Sequence, residues 1–92
     1  MYMKRLHLII KGRVQGVFYR HNTKKKALEL NLKGYVKNLD NSNVEVIVEG
    51  PENNLKIFLD WCWQGSTFSK VEDIEVKWEN SKDEYTDFSV NY

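Results

Sequence analysis

Cysteine is nearly absent from this chain of 92 residues: Cys62 stands alone, so no disulfide can form within it, and a reducing compartment such as the cytoplasm is the expected setting. A single Cys and two His are also too few for a structural zinc site. Charge of one sign is missing as well. Fourteen Lys and Arg against thirteen Asp and Glu leave a formal net charge of +1, without the basic excess that marks a nucleic-acid module. No long apolar run occurs. The N-terminal stretch Met1-Tyr2-Met3-Lys4-Arg5-Leu6-His7-Leu8-Ile9-Ile10 is broken by His7 and is too short for a signal peptide or a membrane span. Arginine is scarce too, with Arg5, Arg13 and Arg20 against eleven lysines; where lysine serves as the generic cation, an arginine is a candidate for its planar fork.

What is present suits one compact domain covering residues 1–92. A domain this size buries only about 60–65% of its unfolded surface, and three Trp, five Tyr and four Phe supply much of that area. There is no internal repeat and no low-complexity segment.

Along the chain, Leu6, Leu8 and Ile10 alternate with His7, Ile9 and Lys11, which predicts a half-buried strand from Leu6 to Val14. Gly12 and Gly16 bracket a short irregular stretch. From about Arg20 to Leu30 the period changes, and Thr23, Ala27 and Leu30, with Leu28 beside them, predict the inner face of a helix. Leu32–Leu39 and Val44–Glu49 read as strands of a hairpin around the turn formers Asp40-Asn41-Ser42-Asn43. Gly50-Pro51-Glu52 reads as a helix start with Pro51 at the first helical position; Leu55, Phe58, Leu59 and Cys62 then form a core stripe. After a loop from Gly65 to Ser69, Ile74, Val76 and Trp78 alternate with acids and lysines in another strand, in which Trp78 is expected to face the core. Phe88 and Val90 suggest a last short strand. Strand, helix, strand, strand, helix, strand implies an α+β, ferredoxin-like βαββαβ sandwich: an antiparallel sheet with both helices on one face and the other face open to solvent.

The segment Lys11-Gly12-Arg13-Val14-Gln15-Gly16-Val17-Phe18-Tyr19-Arg20 joins the first strand to the first helix. Its backbone N–H groups have no ladder partner and the helix dipole adds positive potential, so the junction can cradle a phosphate-like anion. Gly16 permits the tight return, and Arg20 would face the mouth with its bidentate donors. Strand–glycine loop–helix junctions that bind nothing are common, and neither Gly-Lys-Ser/Thr nor a spaced glycine triad is present. Residue patterns by themselves stop at an anion pocket.

Two stretches carry more. Gly12-Arg13-Val14-Gln15-Gly16-Val17-Phe18-Tyr19-Arg20 resembles the first signature of the acylphosphatase family, and Gly34-Tyr35-Val36-Lys37-Asn38 resembles its second. Val44-Glu45, Glu49-Gly50-Pro51 and Phe88-Ser89-Val90 extend the resemblance over nearly the whole chain. It implies a ferredoxin-like fold and a hydrolase that cleaves the carboxyl–phosphate bond of acyl phosphates, releasing carboxylate and inorganic phosphate without metal or other cofactor. It also implies roles: Gln15, Gly16, Val17, Phe18 and Tyr19 as phosphate cradle through their N–H groups, Arg20 as the phosphate grip, and Asn38 as the residue orienting the attacking water. Tyr19 stands where the family more often has Phe, Leu39 where many members have a small or hydroxylated residue, and Gly65–Val71 lacks the family's frequent Pro and Ala.

His21 and His7 are candidate acid–base groups, with a surface histidine the plainer reading of His21. Lys24-Lys25-Lys26 reads as a solvated helix face that draws anions in. The alternative function is a non-catalytic domain of the same plan, binding small anions or single-stranded RNA on the open sheet face; an RNP-type aromatic motif is missing from the strands. No nucleic-acid or membrane partner is expected, and nothing in the sequence calls for more than a monomer.

Overall fold

The computed structural model describes residues 3–92; Met1 and Tyr2, the start of the N-terminal apolar run, lie outside the described residues. The elements are β1 (Met3–Arg13), α1 (Tyr19–Glu29), β2 (Lys33–Asn38), β3 (Val44–Pro51), α2 (Glu52–Gln64), β4 (Lys70–Asn80) and β5 (Phe88–Asn91). Alternation decides which side of each strand is buried. Leu6, Leu8 and Ile10 stand opposite Val48, Val46 and Val44 across the β1–β3 ladder. Gly34, Val36 and Asn38 stand opposite the same three valines from β2. This face carries both helices, and Tyr19, Thr23 and Ala27 of α1 meet Leu55, Phe58 and Cys62 of α2 over it, all buried. At Gly34 a side chain has no room: a Cβ would sit 1.9 Å from the Ile47 carbonyl oxygen, and φ is +145°.

The sheet order is β4-β1-β3-β2-β5. The four main strands are antiparallel neighbours, as expected, but β5 pairs parallel with β2, so the sheet is mixed. After β4, on one edge, the chain returns along residues 81–87 to the opposite edge and therefore enters β5 in the direction of β2. That return crosses the face away from the helices. The N–H groups of Lys82 and Glu84 donate to the Glu49 carboxylate at 2.8 and 3.3 Å, and the Tyr85 ring packs edge-on against Tyr35 at 5.9 Å. The face expected to be open thus carries a polar network. Buried Arg5 donates through Nε to Glu49 at 3.2 Å, with Glu79 and Glu84 also within ion-pair distance.

Three local expectations fail for identifiable reasons. Pro51 is the N-cap of α2 and the last residue of β3, with ψ 139°; lacking an N–H, it can close the strand while its extended ψ keeps it out of the helix. Leu28 lies outside the inner face of α1, 53% exposed, because Thr23 and Ala27 already fill the stripe. Trp78 does share a face with Leu6, yet it is 41% exposed, since β4 is an edge strand. Trp61 instead packs against the core, its ring 5.5 Å from that of Tyr19. Among the described residues no helix is long and apolar enough to cross a membrane.

Candidate active site

Between β1 and α1 the chain turns through Val14–Phe18. Gly16 has φ +73° and Phe18 φ +61°, so the loop uses two left-handed residues to bring the first turn of α1 back over the end of β1. Glycine adopts this conformation freely, and the second case is a strained position for an aromatic residue. The Phe18 carbonyl accepts from the Asn22 backbone N–H and side-chain amide at 3.1 and 3.0 Å. No side chain caps this helix start. Among the described residues, the N–H groups of residues 15–20 donate to no protein acceptor. Six free donors at a helix start are an anion cradle in waiting.

The loop is held from three sides. The Ser66 hydroxyl donates to the Val17 carbonyl at 2.9 Å, and the Ser69 hydroxyl to the Ser66 carbonyl at 2.8 Å, so Gly65–Val71 is tied down by hydroxyls. The Tyr19 ring is buried and its hydroxyl donates to the Cys62 carbonyl at 2.8 Å; burial, reinforced by Cys62, pushes this phenol well above its ordinary value. Burial likewise raises the Cys62 thiol, a direction that Tyr19 opposes without reversing, which keeps the thiol neutral and unreactive. From the hairpin side, the Gln15 amide donates to the carbonyls of Leu39 and Asn43 at 2.9 and 2.8 Å.

Arg20, on the first turn of α1, points to the end of β5. Its Nη1 donates to the Asn91 carbonyl at 3.0 Å, and its guanidinium lies 4.7 Å from the centre of the Tyr92 ring, within cation–π range. Arg20, Gly16, Phe18, Tyr19, His21, Val14, Val90 and Tyr92 line one cavity of about 330 Å³. Phe18, 73% exposed, and the exposed Tyr92 give it an aromatic rim.

Asn38 ends β2 on the helix-covered face, in line with Val36 and opposite Val44. Its Oδ1 is buried and has no hydrogen-bond partner, an acceptor left open where solitary buried polar atoms are costly. The parallel register sets Lys37 opposite Asn91, so the segment that holds Arg20 runs beside the strand end that carries Asn38. Of the residues singled out by sequence, Gly16, Phe18, Tyr19 and Arg20 line the cavity. Gln15 and Val17 support the loop, and Asn38 stands at its hairpin side. His7 belongs elsewhere: its Nε2 lies 3.0 Å from Glu45 on the opposite sheet face. Sequence reading did not single out Ser66, Asn91 or Tyr92; no motif marks them, and only the pairing of β5 beside β2 brings the last two to Arg20. Among the described residues, no cluster of His, Cys, Asp and Glu is arranged to hold a metal ion.

A family model described as Acylphosphatase matches residues 6–90. An acylphosphatase of Syntrophus aciditrophicus is 42% identical over 90 residues, covering 98% of this chain and 94% of that protein. One from Thermus thermophilus is 51% identical over 76 residues, covering 83% and 86%. The crystal structure of acylphosphatase from Bacillus subtilis superposes with a TM-score of 0.93 at 42% identity, covering 97% of this chain and 99% of that one.

Proposed function

The chain belongs to the acylphosphatase family, is accordingly a hydrolase acting on an acid anhydride, and from that premise we propose how its own residues cleave the carboxyl–phosphate bond. The phosphoryl group of an acyl phosphate sits on the free N–H groups of residues 15–20, with the unused donors of Arg20 on its oxygens. Water attacks phosphorus, the bond from phosphorus to the carboxyl oxygen breaks, and the leaving group departs as a carboxylate. Such a leaving group is a stable anion and needs no general acid. The protein's task is therefore positioning and charge stabilisation.

Asn38 supplies the positioning. Its open Oδ1 can accept a hydrogen bond from the attacking water, aiming the lone pair at phosphorus. A neutral amide does this without the repulsion a carboxylate would add beside the phosphate. The other products of attack, a proton and the new P–O bond, are accommodated on the phosphate itself, whose oxygens take the proton. The acyl group leaves past the rim formed by Phe18 and Tyr92. The enzyme works as a single domain over residues 1–92, as a monomer in the cytoplasm, with inorganic phosphate as product and no nucleic-acid partner.

One observation carries this reading: of the six residues 15–20 whose backbone donors lack acceptors, Gly16, Phe18, Tyr19 and Arg20 line one cavity, with the Arg20 guanidinium already fixed in place. The test is hydrolysis of benzoyl phosphate, with and without EDTA, by the wild type and by Asn38→Ala. Chelator-resistant turnover is expected, with a loss in the variant of about 10²–10³ in kcat and unchanged inhibition by inorganic phosphate. A folded wild type that leaves benzoyl phosphate at its spontaneous rate would show a pocket that binds without catalysing.

A further inference from the structure

The side chain of Gln15 makes a connection that its place in the phosphate loop does not require. A loop residue that served only through its backbone N–H could carry any side chain. Here the amide is turned away from the cavity, and both of its N–H bonds are used on carbonyls of the β2–β3 turn, Leu39 at 2.9 Å and Asn43 at 2.8 Å. Those two residues close the hairpin: the Leu39 N–H donates to the Asn43 carbonyl at 2.8 Å, next to Asn38 and Val44, the last pair of the ladder. The mouth of the hairpin is thereby pinned to the loop directly beside Asn38. Only a side chain with two donors in a fork can span both carbonyls; a carboxylate or a thioether of the same length cannot.

We propose that the Gln15 side chain is a positioning residue for the hydrolytic step, holding the hairpin so that Asn38 keeps its water in line with a phosphoryl group bound on the loop. This rests on the water-orienting role given to Asn38 above. The linkage joins the two halves of the site, the loop that binds phosphate and the strand end that aims the nucleophile. Asn38 makes no hydrogen bond through Oδ1, so its own contacts do little to fix the amide. Its placement depends on the backbone on either side of it. A displacement of about 1 Å in such a geometry is enough to cost on the order of 10²-fold in rate.

The experiment is a double-mutant cycle with Gln15→Met and Asn38→Ala, read as kcat and KM for benzoyl phosphate and as inhibition by inorganic phosphate. Gln15→Met keeps length and neutrality and removes both donors. Alone, it is expected to lower kcat about 10- to 100-fold while phosphate inhibition stays within about twofold of wild type, because the backbone cradle and Arg20 remain. In the Asn38→Ala background the same change should cost less than about twofold, since no aimed water is left to misplace. Gln15→Asn, with its amide on a shorter stem, should recover part of the rate, and it replaces Gln15→Met in the cycle if the latter does not fold. Equal losses in both backgrounds would overturn the proposal, as would a kcat at the wild-type level or a parallel weakening of phosphate inhibition. Asn38→Ala by itself reports on the underlying assignment: a wild-type rate there, with Gln15→Met impaired, would remove Asn38 as the element that Gln15 positions.

Discussion

In the mechanism proposed for this site, Arg20 enters the reaction with part of its fork already committed. One Nη1 hydrogen is fixed on the Asn91 carbonyl and the guanidinium plane is covered by Tyr92, which leaves the remaining donors oriented before substrate arrives. A lysine at this position could reach the cavity, but an ammonium is a single point donor that cannot hold Asn91 and a phosphoryl oxygen in fixed planar geometry at once. Arg20→Lys is therefore expected to lower kcat/KM for benzoyl phosphate by about 10²-fold or more, and to weaken inhibition by inorganic phosphate along with it, unlike Asn38→Ala. Near-normal turnover in Arg20→Lys would remove the guanidinium from the mechanism. Arginine, glycine and glutamine at the loop were all legible in the sequence. The partners of Arg20 were not, because Asn91 and Tyr92 are 71 and 72 residues away along the chain and carry no signature of their own.

At the scale of elements, the strands carry two kinds of side chain. On the outer face of the sheet, β1, β2 and β3 bring His7, Tyr35 and Lys37 around Glu45, with the Tyr35 hydroxyl donating to Oε1 at 2.8 Å and Lys37 3.9 Å away. Burial would raise the Glu45 carboxyl; the hydrogen bonds from Tyr35 and His7 and the charges of His7 and Lys37 outweigh it, and the group falls below its ordinary value of 4.5. A carboxylate held down in the folded state stabilises the fold above its unfolded pKa, and this contribution disappears as acid carries the pH down through the depressed value. Glu45→Gln should thus be less stable than wild type in urea at neutral pH, and the two midpoints should converge as the pH drops below 4.5. A gap that persists unchanged into acid would mean that shape, and not charge, accounts for the difference. Val44, Val46 and Val48 on one face with Glu45 and Glu49 on the other foretold a two-faced strand; that pattern could not foretell that residues 81–87 would lie across the outer face and engage Glu49.

For the whole molecule, the sheet order ties both ends of the chain into one core: β1 lies between β3 and β4, and β5 pairs with β2 at the far edge. Phe58 of α2 and Phe88 of β5 meet at 6.3 Å beneath the helices. Such interlocking predicts that no part unfolds separately. Far-UV circular dichroism, which reports helices and strands, and tryptophan fluorescence, which reports Trp61 and Trp63 of α2 and Trp78 at the edge, should give the same urea midpoint. Calorimetry should show one transition with an enthalpy of about 60 kcal/mol near 60 °C. Two separated transitions would contradict the single-domain reading of residues 1–92. The outer sheet face, considered from sequence as a surface for RNA, presents Glu45, Glu49, Glu79 and Glu84 around Arg5 and His7. That network is acid-rich, and the two aromatic rings of this face, Tyr35 and Tyr85, pack on each other.

The sequence by itself determined the element order, the inward faces of β1, β3 and α2, the turn at residues 40–43 and the loop that returns over the first helix. All of these depend on periodicity and on residues with strong local preferences, which act over a few positions. The resemblance of its two signatures also pointed to the family before any contact was known. Only the tertiary structure decided the parallel entry of β5, the exposure of Trp78 on an edge strand, and the fastening of the site by Ser66, Gln15 and Asn91. These follow from which strands become neighbours, and that choice is made by the burial of the whole core, through contacts between residues distant in sequence that no local pattern encodes.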